Sequence, residues 1–479
     1  MTARGREIVL FALLAVAAVV LWALIRTYPN YDAYYDLDWG RELLHGHAPS
    51  FDAYKAPTEH PLYLALGTLL AAVFGEHADR ALVLVAALSM VALIWAVFRT
   101  GRAVFGFWQG VVAALLTASS FALLLYVARA YVDVPFLAAV LWAAALEAER
   151  PRRGLPVMVL LAVAGLLRPE AWLLAGAYWA WCVWPRDAQG RRHPHLGLLA
   201  LVIAPPLVWA LVDLAVTGDP LHSLHATSDL ADELHRVRGI AHVPGSFVSF
   251  VVDALRVPVA LAALAGLALV ALRVPRPPAR SLHVPLALLG AGTLAFVITG
   301  AAGLSILPRY LTVPVIALTL FAGEAIAGWT TLPRGGRQRR RWGAGVVALA
   351  VVGVVFVVAK AGVVHRFTAE LRFITGVHDD LVATLRDPQV ARARRCGPVT
   401  FPNYRLVPDA RWILDASRTQ VGARSARRRP HGVAIFMTDA KTLSRYGFAD
   451  GASPRTNVPD PGYVPLVRHG RFAAYVSCP

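Results

Sequence analysis

Carboxylates crowd into the stretch that follows the first long apolar run of this sequence: Tyr31-Asp32-Ala33-Tyr34-Tyr35-Asp36-Leu37-Asp38-Trp39-Gly40-Arg41-Glu42. In a helix, the spacing of four puts Asp32 and Asp36 on one face and turns Asp38 away. A carboxylate at a lipid–water boundary, beside Tyr34, Tyr35 and Trp39, is partly desolvated. Its pKa rises, and it becomes suited to take the proton of an acceptor hydroxyl. The same acids fit equally well on an amphipathic surface helix whose charges simply face water.

Further groups able to do chemistry follow. In Lys55-Ala56-Pro57-Thr58-Glu59-His60-Pro61 the two prolines fix an extended turn into an apolar helix. Lys55 could meet a phosphate as a point charge and His60 could orient one, while Glu59 and His60 could ligate a cation or cap the following helix. Arg129 and Asp133 stand four apart where a span ends. An ionisable pair there is costly unless it is paired or useful, so a capping salt bridge and a functional pair are both open. Arg168-Pro169-Glu170 and Arg309-Tyr310 put arginines at the opposite boundary from the other basic loops. That placement points to an anionic partner such as a lipid phosphate, with snorkelling anchors as the alternative. His222 and His225, three apart in a polar loop, are the remaining metal candidates.

The chain that must position these groups is 479 residues long, 57% hydrophobic and 16% charged, with mean hydropathy +0.54. Ordinary soluble domains carry roughly 25% charged residues. Apolar runs of bilayer length recur, so the expected fold is a mainly α, polytopic transmembrane bundle. The first run, Ile8–Ile25, reads as an uncleaved signal anchor. The net charge of +17 could suggest nucleic acid, but the arginines cluster in alternate short loops: 99–102, 150–153, 186–192, 273–280 and 334–341. That is a topology signal, and it argues against a nucleic-acid partner. Fixing those loops inside predicts about eleven spans, at 8–26, 79–98, 107–127, 135–149, 155–168, 170–185, 197–216, 247–272, 282–300, 311–329 and 343–360. Residues 61–74 are left as a re-entrant or interfacial helix. The polar loops, and with them the active face, then lie outside a plasma membrane.

Two domains are expected: a membrane domain over 1–360 and a small extracytoplasmic α/β domain over 361–479. In the latter, Val399–Phe401, Gly432–Met437 and Tyr463–Val467 read as strands, with a hairpin turning at His469-Gly470. Cys396 and Cys478 bracket this region and are expected to form a disulfide outside the cell, whereas Cys182 lies in a span. The basic run Arg424, Arg427, Arg428 and Arg429 is either a solvated surface or a hold on an anionic glycan.

As an ordered set over residues 8–330, these motifs resemble the polytopic GT-C glycosyltransferases, which include protein O-mannosyltransferases and lipid A aminoarabinose transferases. The acidic motif leads to Leu43-Leu44-His45-Gly46; Pro61-Leu62-Tyr63, Arg129-x3-Asp133-x-Pro135 and Arg309-Tyr310-Leu311 follow in the family's order. The resemblance implies a polyprenyl-phosphate-sugar donor, a glycan, lipid or protein acceptor, and inverting transfer with a first-loop aspartate as base. Aminoarabinose-transferase spacing selects Asp32 and that of other subfamilies Asp36. Asp36 is preferred because Asp32 lies nearer the end of the first span. The family's Lys-Pro-Pro is Glu59-His60-Pro61 here, so Arg129, Arg168 or Arg309, with Lys55 and His60, would hold the donor phosphate. Asp133, Glu59 and Tyr310 would orient substrate, and a divalent cation is the one cofactor in view. The rival reading is a lipid or solute transporter, for which Pro205-Pro206, Asp213 and Asp253 are the hints.

Overall fold

The computed structural model describes residues 3–184, 195–272, 281–447 and 454–479; the basic loops at 186–192 and 273–280 lie outside them. Helices dominate the chain: α1 (Ala3–Leu24), α2 (Tyr31–Leu44), α3 (Pro61–Phe74), α4 (Ala78–Val104), α5 (Phe107–Ala118), α6 (Phe121–Ala128), α7 (Asp133–Glu149), α8 (Leu155–Leu167), α9 (Glu170–Val183), α10 (Leu196–Thr217), α11 (His222–Glu233), α12 (Val243–Leu272), α13 (His283–Ala301), α14 (Thr312–Ala327), α15 (Arg337–Ala359), α16 (Gly362–Leu385), α17 (Pro388–Ala393) and α18 (Val407–Leu414).

Seven of the described helical runs are long and apolar enough to cross a bilayer, or eight if the bent pair α5–α6 counts as one. Helices occupy all of the predicted spans, but α7, α8 and α9 hold only 17, 13 and 14 residues. Length and composition therefore support fewer crossings than the basic loops implied. The predicted single span over 107–127 is two helices meeting at 57°. Thr117 and Ser119 turn their hydroxyls back onto the carbonyls of Ala113 and Leu116 at 2.9 and 3.0 Å, which competes with the helix ladder at the bend. Helix α3 has 14 residues and runs through a tight turn at Gly75–His77 into α4. At 1.5 Å per residue it reaches about 21 Å, short of the roughly 30 Å hydrocarbon core. Helices α1 and α15 bury none of their apolar windows against the rest of the protein.

The C-terminal region builds a five-stranded sheet in the order β2-β1-β3-β5-β4 from β1 (Val399–Phe401), β2 (Val421–Ala423), β3 (Gly432–Met437), β4 (Val464–His469) and β5 (Phe472–Ser477). Strand β1 runs parallel to β2 and β3, and β5 runs antiparallel to β3 and β4. The β4–β5 hairpin turns at Gly470, whose φ of +48° suits glycine. Strand β3 is buried throughout, as an all-apolar central strand should be. Phe373, Val377 and Leu381 of α16 close one face of the sheet over Val399, Phe401 and Val433. Arg424 is not a surface cation: it is buried against Asp460 at 2.9 Å and the carbonyls of Thr456 and Val458.

Cys396 and Cys478 are bonded across a sequence separation of 82, while Cys182 is free and buried. Closing a loop of that length stabilises the folded domain by about 4–5 kcal/mol in the chain-entropy model. A Cys396→Ser/Cys478→Ser variant should therefore lose hydrogen-exchange protection in β3 and β5 while the membrane helices keep theirs. Equal protection in the two proteins would show that the bond adds nothing to the sheet.

Candidate active site

The acidic motif folds as α2 because Asn30 caps it. The Asn30 side chain accepts from the N–H groups of Asp32 and Ala33 at 2.8 and 3.2 Å, and Asp32 sits in the first turn, where the helix dipole favours negative charge. Asn30 also ties the first loop to the second, since its backbone and side-chain N–H groups both donate to the Arg129 carbonyl at 2.8 and 2.9 Å. Below, α2 lies hard on α3. A Cβ on Gly40 would stand 2.6 Å from the Thr68 nitrogen, and one on Gly67 would stand 2.8 Å from the Asp36 carbonyl oxygen. Only glycine permits that crossing, and it fixes the height of the carboxylates. Tyr63 of α3 donates to the Ala130 carbonyl at 2.7 Å, closing the triangle of first loop, α3 and second loop.

Into this frame come two arginines from far along the chain. Arg309, in the turn Pro308–Leu311, pairs with Asp32 at 3.1 Å. Arg168, at the end of α8, forms a buried pair with Asp133 and a second with Glu170 at 2.6 Å. The Tyr310 ring lies 5.3 Å from the Arg168 guanidinium and 5.8 Å from that of Arg309. Asp36 is 2% exposed, and burial first, then the charges of Asp32 and Glu59, push its carboxyl well above the ordinary aspartate range. His60 is pushed down by burial and then by Arg168 and Arg309, so it stays neutral. The cluster thus joins Asp32, Asp36, Glu59, His60, Asp133, Arg168, Arg309 and Tyr310.

Several of its buried atoms have no hydrogen-bond partner among the described residues: Asp36 Oδ1, Glu59 Oε1, His60 Nδ1, Asp133 Oδ2 and Arg309 Nε. Unpaired buried polar atoms are costly, and so many from separate segments in one place mark a site shaped for something polar.

Other predicted residues stand elsewhere. Asp38 turns to the far face of α2, toward Arg411 of α18. Lys55 pairs with Glu233 at 3.2 Å, and its backbone carbonyl accepts from the Tyr31 hydroxyl at 2.7 Å. Arg129 ends α6 facing the C-terminal domain, where its charge acts on Asp409 and His378. His225 lies 2.7 Å from Asp219, and among the described residues no three His, Cys, Asp or Glu side chains gather as a metal site would need.

Sequence reasoning missed the partners of Glu59. Its carboxyl shares the Ser223 hydroxyl with Asp213 of α10, the latter at 2.9 Å. One hydroxyl proton cannot serve two carboxylates, and burial together with Asp213 pushes Glu59 up, so the pair retains a proton. The available signal was an aspartate inside an apolar helix, which is a functional flag in any membrane protein.

Over residues 55–209, which include Glu59, His60, Asp133 and Arg168, the sequence matches the family described as dolichyl-phosphate-mannose-protein mannosyltransferase. The whole structure superposes on the crystal structure of ArnT from Cupriavidus metallidurans bound to undecaprenyl phosphate, with a TM-score of 0.58. That superposition covers 99% of this chain and 98% of that one at 15% identity. The apo form of the same protein gives 0.57, equal coverage and 16% identity. The fold is that of the GT-C glycosyltransferases. An oligosaccharyltransferase from Archaeoglobus fulgidus, tethered to an acceptor peptide, aligns over all of this chain and 74% of its own at 12% identity. Its TM-score of 0.49 is too slight a likeness to argue from. No curated protein matches the sequence. The GT-C likeness spans both the helical bundle and the C-terminal sheet, so the sheet is part of the shared architecture.

Proposed function

We propose that this multi-pass membrane protein is a glycosyltransferase that moves a sugar, with inversion, from a polyprenyl-phosphate donor to a cell-envelope acceptor on the outer face of the plasma membrane. The observation that carries the reading is the buried cluster of acids and arginines with its unpartnered oxygens and nitrogens, set in a GT-C fold.

Asp32 is the base. It keeps about a quarter of its side-chain surface open, and Arg309 balances its charge, whereas Asp36 is enclosed and repelled by two neighbouring acids. Asp32 takes the proton of the acceptor hydroxyl, whose oxygen forms the new bond to the anomeric carbon as the carbon–oxygen bond to phosphate breaks. The departing polyprenyl phosphate keeps the electron pair. Arg309, with its free Nε, is placed to receive that charge, while Arg168 is already saturated by Asp133 and Glu170 and holds Tyr310 and the second loop in position. Protonated Asp36 can donate a hydrogen bond, and Glu59, neutral His60 and Asp133 offer polar atoms to the sugar.

The test is turnover of a panel of polyprenyl-phosphate sugars by the purified protein, with release of polyprenyl phosphate as the readout. Arg309→Gln should lower kcat by about 10²–10³-fold, the usual cost of losing one group aimed at developing negative charge. If no donor is consumed while labelled lipid crosses the bilayer of reconstituted vesicles, the protein is a transporter and the reading falls.

A further inference from the structure

A cavity lies beside the C-terminal end of α2, and none of the residues of the buried cluster lines it. It has a volume of about 680 Å³ and is walled by the 47–52 loop, the end of α10 and the 417–419 turn of the C-terminal domain. That size is within the range of small-molecule sites. Its lining carries hydroxyls and imidazoles that both donate and accept, Ser50, Thr217, Ser417, Thr419, His47 and His222, together with the Glu42 carboxylate of α2, which accepts. The one guanidinium there, Arg418, is bonded to Asp52 across the mouth, joining the membrane domain to the C-terminal domain. Among the described residues no lysine and no second arginine line the cavity, so it offers a phosphate no free permanent cation. Hydroxyls, imidazoles and carboxylates in this mixture match the hydroxyl groups of a saccharide.

The cavity is wired to the catalytic cluster. The Thr217 hydroxyl donates to the Asp213 carbonyl at 2.8 Å, and the Asp213 carboxyl holds Ser223, next to His222, through its N–H and hydroxyl. Ser223 in turn bonds Glu59, whose charge acts on Asp36. From Asp32 to Glu42 the helix rises about 15 Å at 1.5 Å per residue. A ligand anchored in the cavity therefore reaches the base only if it is an extended chain.

We propose that this cavity is the acceptor subsite and that it takes an uncharged oligosaccharide whose far hydroxyl reaches Asp32. The inference rests on the glycosyltransferase reading for its meaning, but the binding it asserts stands on the cavity alone.

The test is calorimetric titration of the full-length protein in lipid nanodiscs with neutral mannan and arabinan hexasaccharides and with one phosphorylated hexasaccharide. Saturable binding of a neutral chain is expected. Ser417→Trp and Thr419→Trp, exposed positions that fill the cavity without entering the core, should weaken it at least about tenfold, and His222→Ala should weaken it measurably. Binding by neither neutral chain overturns the proposal, as do tryptophan variants that bind like wild type or a clear preference for the phosphorylated chain. Donor consumption is followed in parallel. Donor consumed without oligosaccharide binding sinks the subsite alone, whereas oligosaccharide bound with no donor ever consumed sinks the transferase reading and keeps the site.

Discussion

Asp32→Asn is expected to lower kcat for sugar transfer by about 10²–10⁴-fold, the range a positioned general base supplies, whereas Asp36→Asn should keep most of the activity. The contrast follows from where the two carboxylates sit on one helix. Burial, Asp32 and Glu59 all favour the protonated form of Asp36 at neutral pH. Asparagine reproduces the shape of that neutral acid and its capacity to donate, so little is lost. Asp32 has a guanidinium on one oxygen and solvent access on its side chain, and asparagine there can neither accept the hydroxyl proton nor balance Arg309. Transfer and release of polyprenyl phosphate should fall together, because both require the same nucleophile. The reverse outcome, with Asp36→Asn dead and Asp32→Asn active, would return the base to Asp36, the carboxylate preferred for lying farther from the end of the first span.

That preference shows how far a sequence reading reaches here. The helical spacing of the acidic motif correctly put Asp32 and Asp36 together and turned Asp38 away. It could not rank the first two, because burial depends on α3, and the closeness of α3 rests on the Gly40 and Gly67 contacts between distant segments. The strands over Val399–Phe401 and Gly432–Met437 were legible as short apolar runs between turn residues. Strand β2 was not, since Val421-Gly422-Ala423 has no pattern of its own and exists only as a parallel partner of β1. Arg168 and Arg309 stood out because they break the charge bias of the loops. Arg411 did not: it sits in a basic region, and nothing local says that it is buried 2% exposed against α2.

Arg411 is the basis of the second large effect expected. It is held between Glu42 at 2.6 Å, Ser50 at 3.4 Å and Asp38 at 3.7 Å, while Arg41 reaches back to Asp415 at 3.0 Å and stacks 3.6 Å from the Trp412 ring. This interlock fastens the C-terminal domain to the helix that carries Asp32. Arg411→Met leaves the half-buried Glu42 carboxylate without its cation, beside an Asp38 that already holds its proton, and stranding a charge in this way costs about 3–5 kcal/mol. Hydrogen exchange in α2 and α18 should speed up together, and transfer should fall with it because Asp32 loses its fixed height.

Adding Glu42→Gln and Asp38→Asn to Arg411→Met should restore most of the protection, since a neutral set of similar shape no longer contains an unpaired charge. The pH dependence has a definite sign. Burial raises Asp38 to about 8 despite Arg411, so the stability tied to its proton is full below about pH 4 and is lost as pH rises through about 8. Asp38→Asn alone should therefore reduce the alkaline weakening of the domain contact between pH 6 and 9. An Arg411→Met protein with unchanged exchange in α2 would mean that the sheet domain merely rests on the catalytic helix. The coupled loss would mean that the domain sets the position of the base.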